Sequence, residues 1–163
     1  MPFLARLAVV TTPVFIFALS ACAGGNSCPE GAYKNAETNV CIKLPADFKA
    51  DDKVGKSGEA SYLTIRNSKT LKSFSIWIEK PDELDKRAKV VENMASADMK
   101  LVASGDTSPS KGKFFHLHNG PGNYDFAVAL VPGKEHFYRC EIQNTPPDEA
   151  KPMLEACKTV GGP

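Results

Sequence analysis

The sequence predicts an α+β fold, an antiparallel β-sheet with two main helices packed on it, following an export signal. Three observations carry this reading. Ser73 to Glu79 (SFSIWIE) alternates with period 2, which places Phe74, Ile76 and Ile78 on one face of a strand. Leu84, Ala88, Val91 and Ala95 then recur at i, i+4, i+7 and i+11, the stripe of an amphipathic helix. Downstream, apolar runs are separated by Asn119-Gly120-Pro121-Gly122 and by Pro132-Gly133, which read as hairpin loops. Hairpins join antiparallel neighbours, and helices outside the strand runs must cover the sheet, so the class is α+β.

The first 21 residues have another role. Met1 and Arg6 give a short cationic start, and no acidic residue precedes Glu30. Leu7 to Leu19 is an apolar stretch of 13 residues, shorter than the ~20 a membrane-spanning helix needs, and it is broken by Pro13. That is the build of a secretory signal. It ends Leu19-Ser20-Ala21-Cys22, which resembles the lipobox of bacterial lipoproteins, whose cysteine receives the lipid and becomes the new N-terminus. Ala21-Cys22-Ala23 also fits the small-x-small site of the ordinary signal peptidase, which would release a soluble chain. Position and motif together favour lipidation of Cys22 and anchorage to a membrane. Each buried methylene contributes about 0.8 kcal/mol, so two or three acyl chains hold a protein durably. Ala23, not Asp, after the cysteine resembles the enterobacterial pattern for outer-membrane delivery, facing the periplasm, where the source has such a membrane.

The expected mature chain follows in order. Cys22 to Ser27 is a tether with a reach of at most about 20 Å. A single α+β domain is expected over 28–160, opening on a disulfide loop, 28–41, outside the main core. Val40 to Leu44 reads as a strand ended by Pro45, Asp51 to Glu59 as a charged loop, Tyr62 to Ile65 as a strand, and Asn67 to Lys72 as a turn. The helix is expected over Pro81 to Met99, with Asp82, Glu83 and Asp85 in its first turn, where the helix dipole favours them. Strands are expected at Leu101 to Ser104, Lys113 to His118, Tyr124 to Val131 and Glu135 to Ile142. A closing helix runs to about Lys158; Thr145 is able to cap it, and Pro152 should lie in its first turn or mark its beginning.

Leu44-Pro45-Ala46-Asp47-Phe48 resembles the P-x-x-F/W opening of the PsbP-like superfamily, and the order of hairpins, long helix, strand meander and closing helix is similar to that family over about residues 40 to 160. The resemblance implies a PsbP-like sandwich and a binding or assembly role without a shared active site. The cysteine loops do not belong to that pattern, and no functional residue carries over.

Composition narrows the function classes. Without Arg6 the mature chain holds 19 basic and 19 acidic residues, with no basic stripe for nucleic acid and no polybasic run for lipid head groups. Beyond Cys22 four cysteines remain, Cys28, Cys41, Cys140 and Cys157, an even number suited to an oxidising compartment. Three connectivities are possible; proximity in sequence favours Cys28–Cys41 and Cys140–Cys157. No C-x-x-C spacing marks a zinc site.

Signals for chemistry are sparse. Val54-Gly55-Lys56-Ser57 ends like a phosphate loop, yet the first glycine of that motif would fall at Ala50. Asp51-Asp52 reads as a solvated pair. No G-x-S-x-G elbow occurs, and no cysteine is spare after lipidation and pairing. His116 and His118 share one face of a strand, and a loop at Asn119 to Gly122 would set Asp125 opposite His116. Two histidines and a carboxylate are metal-ligand types, with His136 a further possible ligand, but a structural pair near a hairpin tip is the commoner meaning. Trp77 and Tyr62 read as core or sheet-face packing, and Tyr124, Phe126, Phe137 and Tyr138 as core, with a partner-binding face the alternative for these four. The expectation is therefore a non-catalytic envelope lipoprotein without cofactor, held on the membrane by its lipid and binding an envelope protein partner. The alternative is a small-ligand or metal-binding lipoprotein using the His116/His118 strand.

Overall fold

The computed structural model describes residues 28–95, 98–107 and 112–162. The signal 1–21, the lipidation site Cys22 and the tether 22–27 lie outside the described residues. A two-stranded hairpin, β1 (Tyr33–Lys34) and β2 (Cys41–Ile42), precedes the main sheet. The sheet is built from β3 (Phe48–Ala50), β4 (Gly55–Ser57), β5 (Ala60–Asn67), β6 (Ser73–Glu79), β7 (Met99–Asp106), β8 (Lys113–Asn119), β9 (Tyr124–Pro132) and β10 (Phe137–Thr145). A 3-10 turn at Pro81–Glu83 leads into α1 (Leu84–Asn93), and α2 (Pro147–Cys157) closes the chain. The strand order is β3-β5-β6-β10-β9-β8-β7, with β4 also on β5. All of these pairings are antiparallel, so the α+β expectation holds.

The helices lie on opposite faces. On β9, Ala127, Ala129 and Val131 belong to one buried cluster with Ala150, Met153, Leu154 and Ala156 of α2. Its other side chains, Val128 and Leu130, join Ala88 and Val91 of α1, with Phe126 packed against them. A strand buried on both sides loses the apolar/polar alternation, which is why YDFAVALV reads as a near-continuous apolar run. The small side chains of Ala127 and Ala129 leave room for α2, and Cys140 on β10 is bonded to Cys157 on α2.

Both disulfides follow the favoured pairing, each with its Cα atoms 5.4 Å apart. The opening loop is not outside the core, however. Val40 and Ile42 are fully buried in the α2-side cluster. Cys41 and Gly161 exchange backbone hydrogen bonds of 2.7 and 3.0 Å, tying the opening hairpin to the segment after α2.

Several boundaries move. The expected strand Val40 to Leu44 shrinks to Cys41–Ile42. The expected Asp51 to Glu59 loop contains β4, where Gly55 faces Tyr62 and the tyrosine ring lies across the space a Cβ would fill. The first helix ends at Asn93 instead of Met99, because Met94, not the exposed Ala95, turns inward and Met99 opens β7 opposite Asn119. Thr145 does not cap α2: it ends β10 and its hydroxyl donates to the Gln143 carbonyl at 2.9 Å. Pro152 sits inside α2, past its first turn; the carbonyl it deprives of a bond belongs to exposed Asp148, where water can reach it.

Candidate functional site

Helix α1 covers only part of its face of the sheet, and beside it runs an open groove of about 410 Å3. Arg87, Val90, Val91 and Met94 form one wall at spacing i, i+3, i+4 and i+7, a second stripe turned slightly from the one that anchors the helix. Tyr124, Phe126 and Val128, alternate residues of β9, make the floor, with Met99 beside them. Arg139, Glu141 and Gln143, alternate residues of β10, form the opposite wall. Val90 is 51% exposed, so its apolar surface is available to a ligand.

The charged residues lining the groove are closed into pairs. The buried Glu79 carboxylate accepts from Arg87 Nε at 3.0 Å and from Arg139 Nε at 2.7 Å, and Arg139 also pairs with Glu141. Burial pushes the Arg139 guanidinium below its ordinary range, against the hydrogen bond and charge of Glu79, which hold it up. An arginine so placed remains charged, so its pairing to carboxylates is what makes its burial tolerable. Its guanidinium carbon also lies 4.9 Å from the centre of the Trp77 ring, and Tyr62 packs on that ring with centroids 4.9 Å apart.

Beyond the β10 wall lies a shallow polar trough of about 250 Å3, lined by Ser73, Ser75, Trp77, Glu141 and Gln143. Glu141 and Gln143 therefore form a ridge with the apolar groove on one side and the hydroxyl-lined trough on the other.

The histidines occupy the other face. The turn falls on Gly120 to Asn123, not Asn119 to Gly122, so Asp125 lies opposite His118 and His116 lies opposite Ala127. Asp125, only 2% exposed, nevertheless meets both rings: its Oδ2 is 2.6 Å from His116 Nε2 and its Oδ1 is 2.8 Å from His118 Nδ1. Donation of one N–H from each imidazole satisfies a carboxylate that would otherwise be costly to bury. Both carboxylate oxygens are thus engaged, and among the described residues no group of three or more His, Cys, Asp or Glu is arranged to hold a metal. His136 precedes β10 at the opposite end of β9, roughly 20 Å along the strand from Asp125, and cannot join the pair.

The other singled-out residues scatter. Lys56 and Ser57 lie in β4, a strand rather than a phosphate-cradling loop, and Asp51 forms an exposed pair with Arg66 at 3.1 Å. Phe137 and Tyr138 are core, as expected, whereas Tyr124 and Phe126 are only partly buried and floor the groove. The groove wall was missed because Arg87, Val90 and Met94 flank the expected helical stripe; their own helical spacing was the available signal. Nothing in the sequence pairs Glu79 with Arg139, which stand 60 positions apart. Among the described residues no helix is long and apolar enough to cross a membrane. No protein-family description, curated protein or solved structure matches this chain.

Proposed function

We propose that this chain is a membrane-anchored envelope lipoprotein whose folded part binds rather than catalyses, with the α1 groove as its binding site. The carrying observation is the incomplete cover of one sheet face: an apolar floor and an exposed Val90 beside side chains whose charges are already paired. Clefts of ~300–1,000 Å3 with an apolar lining and a few placed polar groups are the usual form of a ligand site. The likeness of Leu44 to Phe48 to the PsbP-like opening supports the same role. So does the position of the opening hairpin, whose Val40 and Ile42 pack on the α2 side and leave the groove face free of it. The test places a photo-crosslinking amino acid at Val90 and, as control, at Leu71, which is 82% exposed. Adducts in the native envelope are expected from Val90 alone and should disappear when Cys22→Ser frees the chain from the membrane. Equal labelling from both positions would refute the groove as the site.

A second reading rests on the sheet edges. β3 and β4 form a broken edge of two three-residue strands carrying Lys49 and Lys56, the usual protection against strand addition. β7 is eight residues long, exposes Leu101 and Val102, and among the described residues pairs with β8 alone. An extended segment of an envelope protein partner fits such an edge. Val102→Pro should then abolish an adduct formed from the neighbouring position Lys100; survival of that adduct removes this reading.

A further inference from the structure

We infer that the α1 groove takes one alkyl chain of an amphiphile with an uncharged, hydroxyl-rich head, the chemistry of a neutral glycolipid; this rests on the groove being the binding site. The shape argues for a chain. Tyr124, Phe126 and Val128 line up along β9 over roughly 14 Å, at about 3.4 Å per residue. Val90, Val91 and Met94 form a second apolar rail on α1 above them. A floor of that length beneath a second apolar wall suits an extended chain better than a compact ring.

Charge and polarity argue for the head. At the groove's polar wall, Arg87 and Arg139 are both held by Glu79, and Arg139 by Glu141 as well. Among the described lining residues an ionic head would find no unpaired counter-charge and would have to break one of these contacts. Across the ridge, Ser73 and Ser75 present hydroxyl groups beside Trp77, and Gln143, whose amide nitrogen donates to Glu141, offers its side-chain carbonyl; these are partners for neutral hydroxyls. The ridge residues Glu141 and Gln143 border both spaces, so a molecule with its chain in the groove meets the trough with its head.

The chain holds a single tryptophan, Trp77, and it lies in that trough, so its fluorescence reports the head site directly. The complete mature chain carrying Cys22→Ser, free of detergent, is titrated with dodecyl maltoside below its micellar concentration, and separately with dodecanoate and with maltose. Saturable binding of dodecyl maltoside is expected, with dodecanoate roughly tenfold weaker and maltose silent. Val90→Glu should weaken dodecyl maltoside by roughly tenfold, because it sets a carboxylate against the chain. Gln143→Ala, at an exposed position on the ridge, removes an amide that also donates to Glu141 and should weaken dodecyl maltoside by about threefold while leaving dodecanoate unchanged. Dodecanoate binding as tightly as dodecyl maltoside overturns the neutral head, and an unaltered Val90→Glu titration overturns the groove as the chain site. Absence of saturable binding while Val90 still crosslinks a protein in the envelope sinks the glycolipid and leaves the binding reading standing. Loss of both sinks the two together.

Discussion

The two faces of the sheet are finished differently. On the α2 side, helix, opening hairpin and the residues after the helix close over Ile65, Ile76, Ala129 and Ile142; Cys140–Cys157 lies within that layer and Cys28–Cys41 closes the hairpin segment that packs on it. On the α1 side a ten-residue helix covers β8 and β9, and the rest of the face is left as groove and trough. Apolar area that could have been buried is left in solvent at Val90, Phe126 and Tyr124, at some cost in stability. A face filled and cross-linked holds the fold, and a face left open is where a ligand can contribute what packing did not.

The contrast is sharpest in stability. Replacing Cys140 and Cys157 by alanine should lower stability by about 3 kcal/mol or more. Removing Cys28 and Cys41 should cost less. The spans between bonded cysteines are similar, 17 and 13 residues, so unfolded-chain entropy hardly separates them. Burial does: Cys140 and Cys157 are both fully buried, whereas Cys28 is partly exposed. Thermal unfolding of the two double variants decides it, and equal losses would show that the opening hairpin is as deep a part of the core as the β10–α2 staple.

Core truncation should follow the same division. Met153→Ala, buried under α2, is expected to cost about 3 kcal/mol in denaturant unfolding. Val90→Ala, on the open face, should stay within about 0.5 kcal/mol. A comparable loss at Val90 would mean that the groove is occupied by the chain itself.

At the histidine pair, Asp125→Asn keeps the shape but offers one acceptor where there were two. A loss of about 2 kcal/mol is expected by chemical denaturation, together with altered imidazole signals of both His116 and His118 in NMR. A change at one ring only would separate the pair.

The smallest effect is alkaline. Burial, aided by the charge of Glu135, raises the Tyr138 hydroxyl above its ordinary range. A raised acid is stabilising while both states are protonated. That contribution should therefore be complete below about pH 10 and fall as pH rises through the folded value. Tyr138→Phe should flatten the alkaline limb of the stability profile, and an unchanged limb would assign it elsewhere.

These contrasts were unevenly legible in the sequence. β6 could be read to the residue because Phe74, Ile76 and Ile78 are buried on one face while Ser73, Ser75 and Trp77 on the other are not, which is the condition for a period of 2. The disulfides followed from parity and proximity. β4 was missed because its pairing depends on the Tyr62 ring lying over Gly55, a tertiary fit between residues that look like a loop. The hairpin beyond β8 was placed one residue early. Asn119 stays in the strand and its side chain accepts from the Gly122 amide at 2.6 Å, while Asn123 takes the left-handed conformation at φ 47°. That single step moved Asp125 from His116 to His118 in register, yet left all three side chains on one face, so the cluster was anticipated and its geometry was not. The groove was invisible for a different reason. It is made by what α1 fails to cover, and the extent of cover depends on where the helix stops, at Asn93 rather than Met99.

Hydrogen exchange of the mature chain with and without its native envelope extract tests the division between the faces most directly. The account predicts added protection in residues 87–93 of α1 with the adjoining Met94 and in 139–143 of β10, with residues 147–157 of α2 unchanged. Protection confined to α2 and the opening hairpin would contradict it and place the binding surface on the face assigned here to stability.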